Sequence, residues 1–366
     1  MTITPRLVAK YLIPDRDGAQ VFVDGTGPVP RLEVRNTRSL RIYELKDQAE
    51  LTAEFPAPSS GWWPREWVAP DLSFTVFGTT TGYVAVTQDG TRLWEQPYGG
   101  WEVGRWGYLD FSTVRSSARP AAGRSSTGGT DGELRMWLRL PSGLPDSTLI
   151  LTLDAEGTVL ARSMLPCGGY ERSVSLLWDE NDEVAGVTVS GAGVPSTHYE
   201  ARWEAGAIVL GGQLRNGSDD RLLQERDYLG MDSTSTRCMT VDRRRRDITW
   251  HRLPTYEVTA TLGLSDLPVP GTGDCAVHND PQFSTWSGFV DDETAMVTLY
   301  NPYDEAAVYM FGRENWREHS HWLADPATGA LHGRIEYPMP EVDTVMLIGD
   351  GTWITEEWDA VYRWRR

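Results

Sequence analysis

The sequence predicts an all-β chain in which four-stranded antiparallel sheets repeat around an axis. Three observations carry that expectation. Strict apolar–polar alternation, the mark of half-buried strands, runs through the chain, whereas apolar spacing of three and four is hard to find. Alternating segments are joined repeatedly by a short turn that opens on Asp and closes on Gly. Tryptophan is abundant, 16 in 366 residues, with several at matching places in the strands. A four-stranded sheet cannot bury both faces alone, so recurrence of one strand–turn–strand unit points to radial closure, which also protects strand edges.

The elements follow in order. Leu72–Phe77 and Tyr83–Thr87 alternate, and Gln88-Asp-Gly90 then turns the chain into Thr91–Glu95. Asp and Gly suit such a turn because its central positions need positive φ. Thr148–Leu153 and Thr158–Arg162 repeat the arrangement around Asp154–Gly157. So do His319–Ala324 and Ala330–Tyr337 around Asp325–Gly329, and Thr344–Ile348 and Thr352–Thr355 around Asp350-Gly351. Asp242-Arg-Arg-Arg-Arg-Asp247 is the one basic block; it lies between Arg237–Val241 and Ile248–His251 and reads as a solvated hairpin turn, with a phosphate or acidic-partner contact as the alternative. A low-complexity stretch predicts a flexible insertion near 116–132, and a Pro/Gly-rich loop falls near 266–282. Strand–turn units of one character continue on both sides of each, so residues 1–366 are expected to form a single domain.

The series of Asp-to-Gly hairpins followed by Trp closes with Asp350-Gly-Thr-Trp-Ile-Thr355 and Tyr362-Arg-Trp364. It resembles a WD40-like or quinoprotein-like β-propeller and is similar to uncharacterised propeller proteins of actinobacteria. The resemblance is clear from about Leu72 onward and weak over the first seventy residues. The regular Gly-His and Trp-Asp pairs of strict WD40 repeats are missing, so the blade count is open. At about 40–45 residues per blade, seven blades plus insertions fit, and six long blades fit nearly as well. A two-domain β-sandwich is the rival. What the resemblance implies is a fold, not an activity.

Composition excludes some functions. There are 34 basic and 52 acidic side chains, a net charge of −18, which disfavours nucleic acid and anionic lipid as partners. No apolar run reaches the length of a membrane span, the N-terminus carries no signal-like apolar segment, and three scattered cysteines do not make a disulfide framework. The chain is expected in the cytoplasm.

Candidate sites are few. Trp94, Trp137, Trp203 and Trp250 sit in strands and read as core between sheets. Gly61-Trp-Trp-Pro-Arg-Glu-Trp67 reads as a loop presenting Trp62, Trp63 and Trp67, and Trp101 and Trp106 have a similar context; clustered exposed aromatics mark a binding surface. His319 and His321, two apart on a strand, point to one face, and with Cys275 and His278 could form a tetrahedral metal set, though the spacing matches no known pattern. Asp15–Gly18 and Asp291–Glu293 resemble fragments of calcium loops, which ordinary hairpin turns also explain. No nucleophile elbow, P-loop or dinucleotide motif is present, and no cofactor is expected. The expectation is a monomeric binding scaffold that presents acidic, Trp-bearing loops to a protein partner, cationic by charge complementarity. The alternative is an enzyme acting on a sugar or small specialised metabolite in the central channel, and no catalytic residue can be named for it.

Overall fold

The structure is a computed structural model. It describes residues 1–13, 19–24, 29–58, 66–69, 71–79, 81–97, 136–141, 148–165, 172–178, 184–191, 194–213, 226–234, 236–242, 244–253, 255–268, 281–300, 319–339, 342, 345–357 and 360–366.

Among these residues the strands group into seven sheets. The first two strands, β1 (Thr2–Ile3) and β2 (Arg6–Leu12), join the last two sheets. Blade 1 holds β3 (Gln20–Asp24), β4 (Arg31–Arg35), β5 (Ser39–Leu45) and β6 (Ala49–Pro56). Blade 2 holds β7 (Glu66–Val68), β8 (Thr75–Gly78), β9 (Gly82–Val86) and β10 (Arg92–Pro97). Blade 3 shows three described strands, β11 (Met136–Pro141), β12 (Thr148–Leu153) and β13 (Val159–Leu165). Blade 4 is β14 (Arg172–Trp178), β15 (Val184–Gly191), β16 (Val194–Glu204) and β17 (Ala207–Gln213). Blade 5 is β18 (Arg226–Met231), β19 (Arg237–Asp242), β20 (Asp247–Arg252) and β21 (Glu257–Gly263). Blade 6 is β22 (Gln282–Phe283) and β23 (Gly288–Phe289), both on β24 (Ala295–Tyr300), then β25 (His319–Ala324) and β26 (Leu331–Ile335). Blade 7 is β27 (Val345–Leu347), β28 (Thr352–Glu356) and β29 (Ala360–Arg365), completed by β2. A short 3-10 turn, Leu264–Asp266, is the one helical element among the described residues.

The buried clusters trace a closed ring, which decides for seven blades over six and against a sandwich. Leu40, Ile42 and Phe55 of blade 1 pack on Phe77, Val84 and Val86 of blade 2. Trp67 and Tyr83 of blade 2 meet Leu151 and Leu153 of blade 3, and Trp137 and Ile150 of blade 3 meet Val187 and Tyr199 of blade 4. Met231 of blade 5 packs on that last cluster. Met239 and Trp250 of blade 5 face Phe283 and Trp322 of blade 6; Met296 and Leu323 of blade 6 face Trp353 and Trp364 of blade 7. Val361 and Ile354 of blade 7 return to Leu32 and Val34 of blade 1. Each fully buried large side chain contributes about 1.5–3 kcal/mol, so both faces of every sheet are worth covering. The result is an all-β, seven-bladed β-propeller.

Closure uses the N-terminus twice. β2 pairs antiparallel with β29, from Arg6 opposite Arg365 to Leu12 opposite Ala360. β1 adds a parallel strand to β26, and Met1 and Ile3 carbonyls accept the Arg334 and Glu336 N–H groups at 2.9 Å. Gly333, at φ +150°, allows this approach, because a Cβ there would lie 2.6 Å from the Met1 carbonyl oxygen.

The Asp-to-Gly turns have the expected chemistry. Asp89, Asp154, Asp325 and Asp350 accept the N–H groups of Thr91, Thr158, Ala327 and Thr352 at 3.1, 2.7, 2.7 and 3.0 Å. Gly90, Gly157, Gly329 and Gly351 all have positive φ. A second reason for glycine is visible only in three dimensions. The turns between third and fourth strands press on the outer strand of the preceding blade: a Cβ on Gly157 would overlap the Trp94 indole, and one on Gly329 would lie 3.1 Å from the Thr261 carbonyl oxygen.

The other readings are refined locally. Leu72 is not strand but turn, at φ +61°, and β8 begins at Thr75. The Arg block caps the β19–β20 hairpin, with Asp242 accepting the N–H groups of Arg244 and Asp247 at 3.1 and 3.0 Å. Trp250 and Trp137 are core, and Trp203 stands edge-on to Trp137 at 6.4 Å. Trp94 donates its indole N–H to the Ala155 carbonyl at 3.0 Å, tying blade 2 to blade 3.

Candidate functional site

Blade 6 departs from the regular pattern, and the departure is written in its first strand. Between β22 and β23, Ser284 and Ser287 interrupt the ladder. Ser287 Oγ donates to the Ser284 carbonyl at 2.9 Å and accepts the Thr298 N–H at 2.9 Å, replacing a backbone partner. Ser284 Oγ accepts the Trp286 N–H at 3.2 Å. The interruption turns Trp286 out of the sheet, where it is 42% exposed, the one large aromatic of the described residues with more than two-fifths of its surface open apart from Phe22.

Trp286 leans over the face that blade 6 turns to blade 7. Strand alternation fixes that face: Val297, Leu299 and Trp322 join the blade 5–6 core, so Thr298, Tyr300, His319 and His321 lie opposite, beside Met296 and Leu323 of the blade 6–7 core. Here His319 is sandwiched in a row of tilted rings, 5.2 Å from Trp286 and 6.3 Å from Tyr300. The Tyr300 hydroxyl donates to Gln282 at 2.9 Å. One step deeper, Thr298 and His321 are directly paired across β24 and β25. Both are buried, and among the described residues Thr298 Oγ1 and His321 Nε2 have no hydrogen-bond partner. Burial drives the His321 pKa down to about 3, so the imidazole is neutral near pH 7. The Tyr337 ring closes the floor, edge-on to His321 at 5.7 Å.

The expected site residues are placed differently from one another. Trp67 belongs to the core, not to an exposed cluster: it lies in β7 opposite Val76, 7% exposed, and edge-on to Phe74 at 5.9 Å. Trp62, Trp63, Trp101 and Trp106 lie outside the described residues, as do Cys275 and His278. His319 and His321 do share a face, but each meets an aromatic ring, and among the described residues no group of three His, Cys, Asp or Glu could hold a metal. Asp291 accepts the Glu293 N–H at 2.9 Å, and Asp292 accepts the Ser233 N–H and hydroxyl at 3.0 and 2.8 Å, so both serve a turn and a seam. Asp15–Gly18 lies outside the described residues. The row at Trp286 was missed in the sequence; its signal was a Trp held between two serines in a broken strand.

Two other chemically suggestive groups are inert. Cys238 is buried, and burial pushes its thiol pKa well up, so it stays protonated. His251 Nδ1 faces the Tyr256 carbonyl at 3.2 Å and so carries the proton, leaving Nε2 to accept the Thr240 hydroxyl at 2.9 Å. A cleft of about 640 Å³ between blades 5 and 6 includes Arg237 and Arg252, but Asp232 and Glu257 pair with them at 3.2 and 3.1 Å.

Charge is distributed with the turns. The connections between first and second strands share one end of the ring, as the contacts of Ser233 with Asp292 and of Gly351 with Val290 show, and antiparallel alternation within each sheet brings the third-to-fourth connections to that end as well. Every blade carries an exposed carboxylate in or beside such a turn, Asp47, Asp89, Glu156, Glu204, Glu257, Glu293 and Asp350, of which Glu204, Glu257 and Asp350 pair with Arg202, Arg252 and Arg363 at 2.8, 3.1 and 2.5 Å. No helix of the described residues is long and apolar enough to cross a membrane.

The architecture is that of a seven-bladed β-propeller. No protein-family model matches the chain, and no curated protein matches it. Solved structures do. The Cps50 (Swd1) β-propeller domain of Myceliophteria thermophila is similar over 99% of each chain, with TM-score 0.54 and 10% identity. The WD40 domain of SCAP from fission yeast is similar over 94% of each chain, with TM-score 0.51 and 9% identity. A chain of the mitotic checkpoint complex matches over 97% of this chain and 91% of its own, with TM-score 0.50 and 12% identity. At such identities the likeness is one of fold.

Proposed function

We propose that the protein is a binding scaffold that receives a cationic protein partner on the acidic end of its ring. The observation that carries this reading is the exposed carboxylate at the turn end of all seven blades. Hydrogen bonds from Thr87 and Thr91 hold Asp89 below the usual carboxylate range, and those from Thr328 and Ala327 do the same for Asp325, which keeps both ionised. A rigid ring positions these charges without ordering cost at binding, and a net charge of −18 steers a basic partner toward it. The protein works as a monomer in the cytoplasm, since radial closure leaves few strand edges to pair. Trp62, Trp63, Trp101 and Trp106 supply apolar contact to the same kind of partner.

The experiment is affinity capture of the tagged protein from its native cells at low salt, repeated with rising salt and with the variant Asp89→Asn, Glu156→Gln, Glu204→Gln. A stoichiometric basic partner, released by salt and weakened by the variant, is expected. A partner indifferent to both overturns the acidic-end reading. A partner-free protein favours an enzyme acting on a small molecule at the channel.

A further inference from the structure

We infer that the other end of the ring carries a second binding site, in which Trp286, His319 and Tyr300 form an aromatic platform for the guanidinium of an arginine side chain. It is independent of the acidic-end reading, because the platform stands where β24 ends at Tyr300 and β25 begins at His319, away from the Asp-to-Gly turns.

Three observations point to this ligand. The indole of Trp286 is 42% exposed while His319, itself backed by Tyr300, supports it from one side, so a flat group can stack on its free surface. Arginine stacks on Trp better than any other charged side chain. Immediately below, on the same face, Thr298 Oγ1 and His321 Nε2 are buried and have no partner among the described residues, and Nε2 accepts in the tautomer that carries its proton on Nδ1. A hydroxyl oxygen and a neutral imidazole nitrogen both accept, and a guanidinium offers five donors in a planar fork; an ammonium offers no plane, and an apolar ring offers no donor. Two partnerless polar atoms side by side in a core are costly unless something meets them. Charge agrees: Glu356 and Glu357 end the corresponding second strand of blade 7, at the same end of the ring.

The test uses the intact protein with isotope-labelled tryptophan, the Trp286 indole signal being assigned by its absence from Trp286→Phe. The probes are acetyl-Gly-Arg-Gly-amide, its citrulline counterpart, and methyl β-glucoside. The Trp286 signal is expected to shift saturably with the arginine peptide, with binding about 2- to 5-fold weaker for the citrulline peptide. Thr298→Val, which removes the hydroxyl at nearly constant shape, is expected to weaken the arginine peptide while melting no lower than the parent. A Trp286 signal that does not move with the arginine peptide overturns the proposal. So does equal affinity for the citrulline peptide, and so does a response to methyl β-glucoside alone, which assigns the platform to a sugar ring. Unchanged affinity in Thr298→Val removes the acceptor pair from the site.

Discussion

Gly157 and Gly206 occupy the β12–β13 turn of blade 3 and the β16–β17 turn of blade 4, at φ +79° and +80°. Their surroundings differ. A Cβ on Gly206 meets nothing within 4 Å, whereas one on Gly157 overlaps the Trp94 indole. Gly206→Ala therefore isolates the backbone cost of a left-handed residue, about 1–2 kcal/mol. Gly157→Ala adds an overpacked contact, about 1–3 kcal/mol, and disturbs the Trp94–Ala155 hydrogen bond, about 1 kcal/mol. The expected total is about 3–6 kcal/mol. Unfolding entropy of about 2.1 cal/mol/K per residue over 366 residues gives about 0.77 kcal/mol/K. Gly206→Ala should thus lower Tm by about 2 °C and Gly157→Ala by about 4–8 °C. Scanning calorimetry of the two variants and of Trp94→Ala/Gly157→Ala decides the matter. If the two single variants lose the same stability, or if removing the indole does not soften the Gly157 change, the glycine is there for its φ alone and the seam argument fails.

Other consequences follow from buried polar groups. Glu66→Ala removes a carboxylate 2.5 Å from the buried Arg35 guanidinium, which also donates to Gln20, and should cost up to about 3–5 kcal/mol in urea unfolding, whereas Arg35→Met/Glu66→Leu should recover most of it. Cys238 should resist a thiol reagent in the native protein at pH 8 and react at once in denaturant, since burial holds it protonated. His321 has a folded pKa lowered from 6.5 to about 3, so below pH 6.5 the unfolded chain binds the extra proton and stability falls with pH toward 3. Between pH 7 and 5 the protein should lose about 2 kcal/mol more than His321→Asn does, read from denaturation midpoints; equal losses would mean the imidazole titrates in the fold as it does in the unfolded chain.

What could be read from sequence was local. The hairpins around Gly157, Gly329 and Gly351 announce themselves because turn and flanking alternation lie within a dozen residues. Blade 1 was faint because its β5–β6 turn, Lys46-Asp47-Gln48, lacks the closing glycine. The pairing of β1 and β2 with strands more than 300 residues away leaves no local trace, so closure was invisible. Trp67 was misread because Pro64 suggested a loop, while Glu66-Trp67-Val68 already alternates as strand. Trp286 escaped because nothing in Ser284–Ser287 says that two serine hydroxyls will take over backbone hydrogen bonds; that depends on Thr298, brought opposite by the sheet.

The same logic separates scaffold from site. In this ring a residue that obeys the repeat is explained by the repeat: Asp makes the turn, Gly admits the neighbouring blade, Trp fills the seam. Trp364 donates to Thr355 at 2.8 Å and Trp353 to Tyr337 at 3.1 Å, so these seam indoles are satisfied and buried. Thr298 and His321 occupy a seam too, yet they place two polar atoms there without partners, and directly above them the strand breaks to expose an indole. An apolar pair at these positions would fit the blade 6–7 core better, as Met296 and Leu323 do one step along the same strands. Thr152 in blade 3 and Trp250 in blade 5 each leave one buried polar atom without a partner among the described residues, but blade 6 sets two such atoms opposite each other on one face, beside an exposed indole. That concentration, rather than any single residue type, is why function is sought at blade 6.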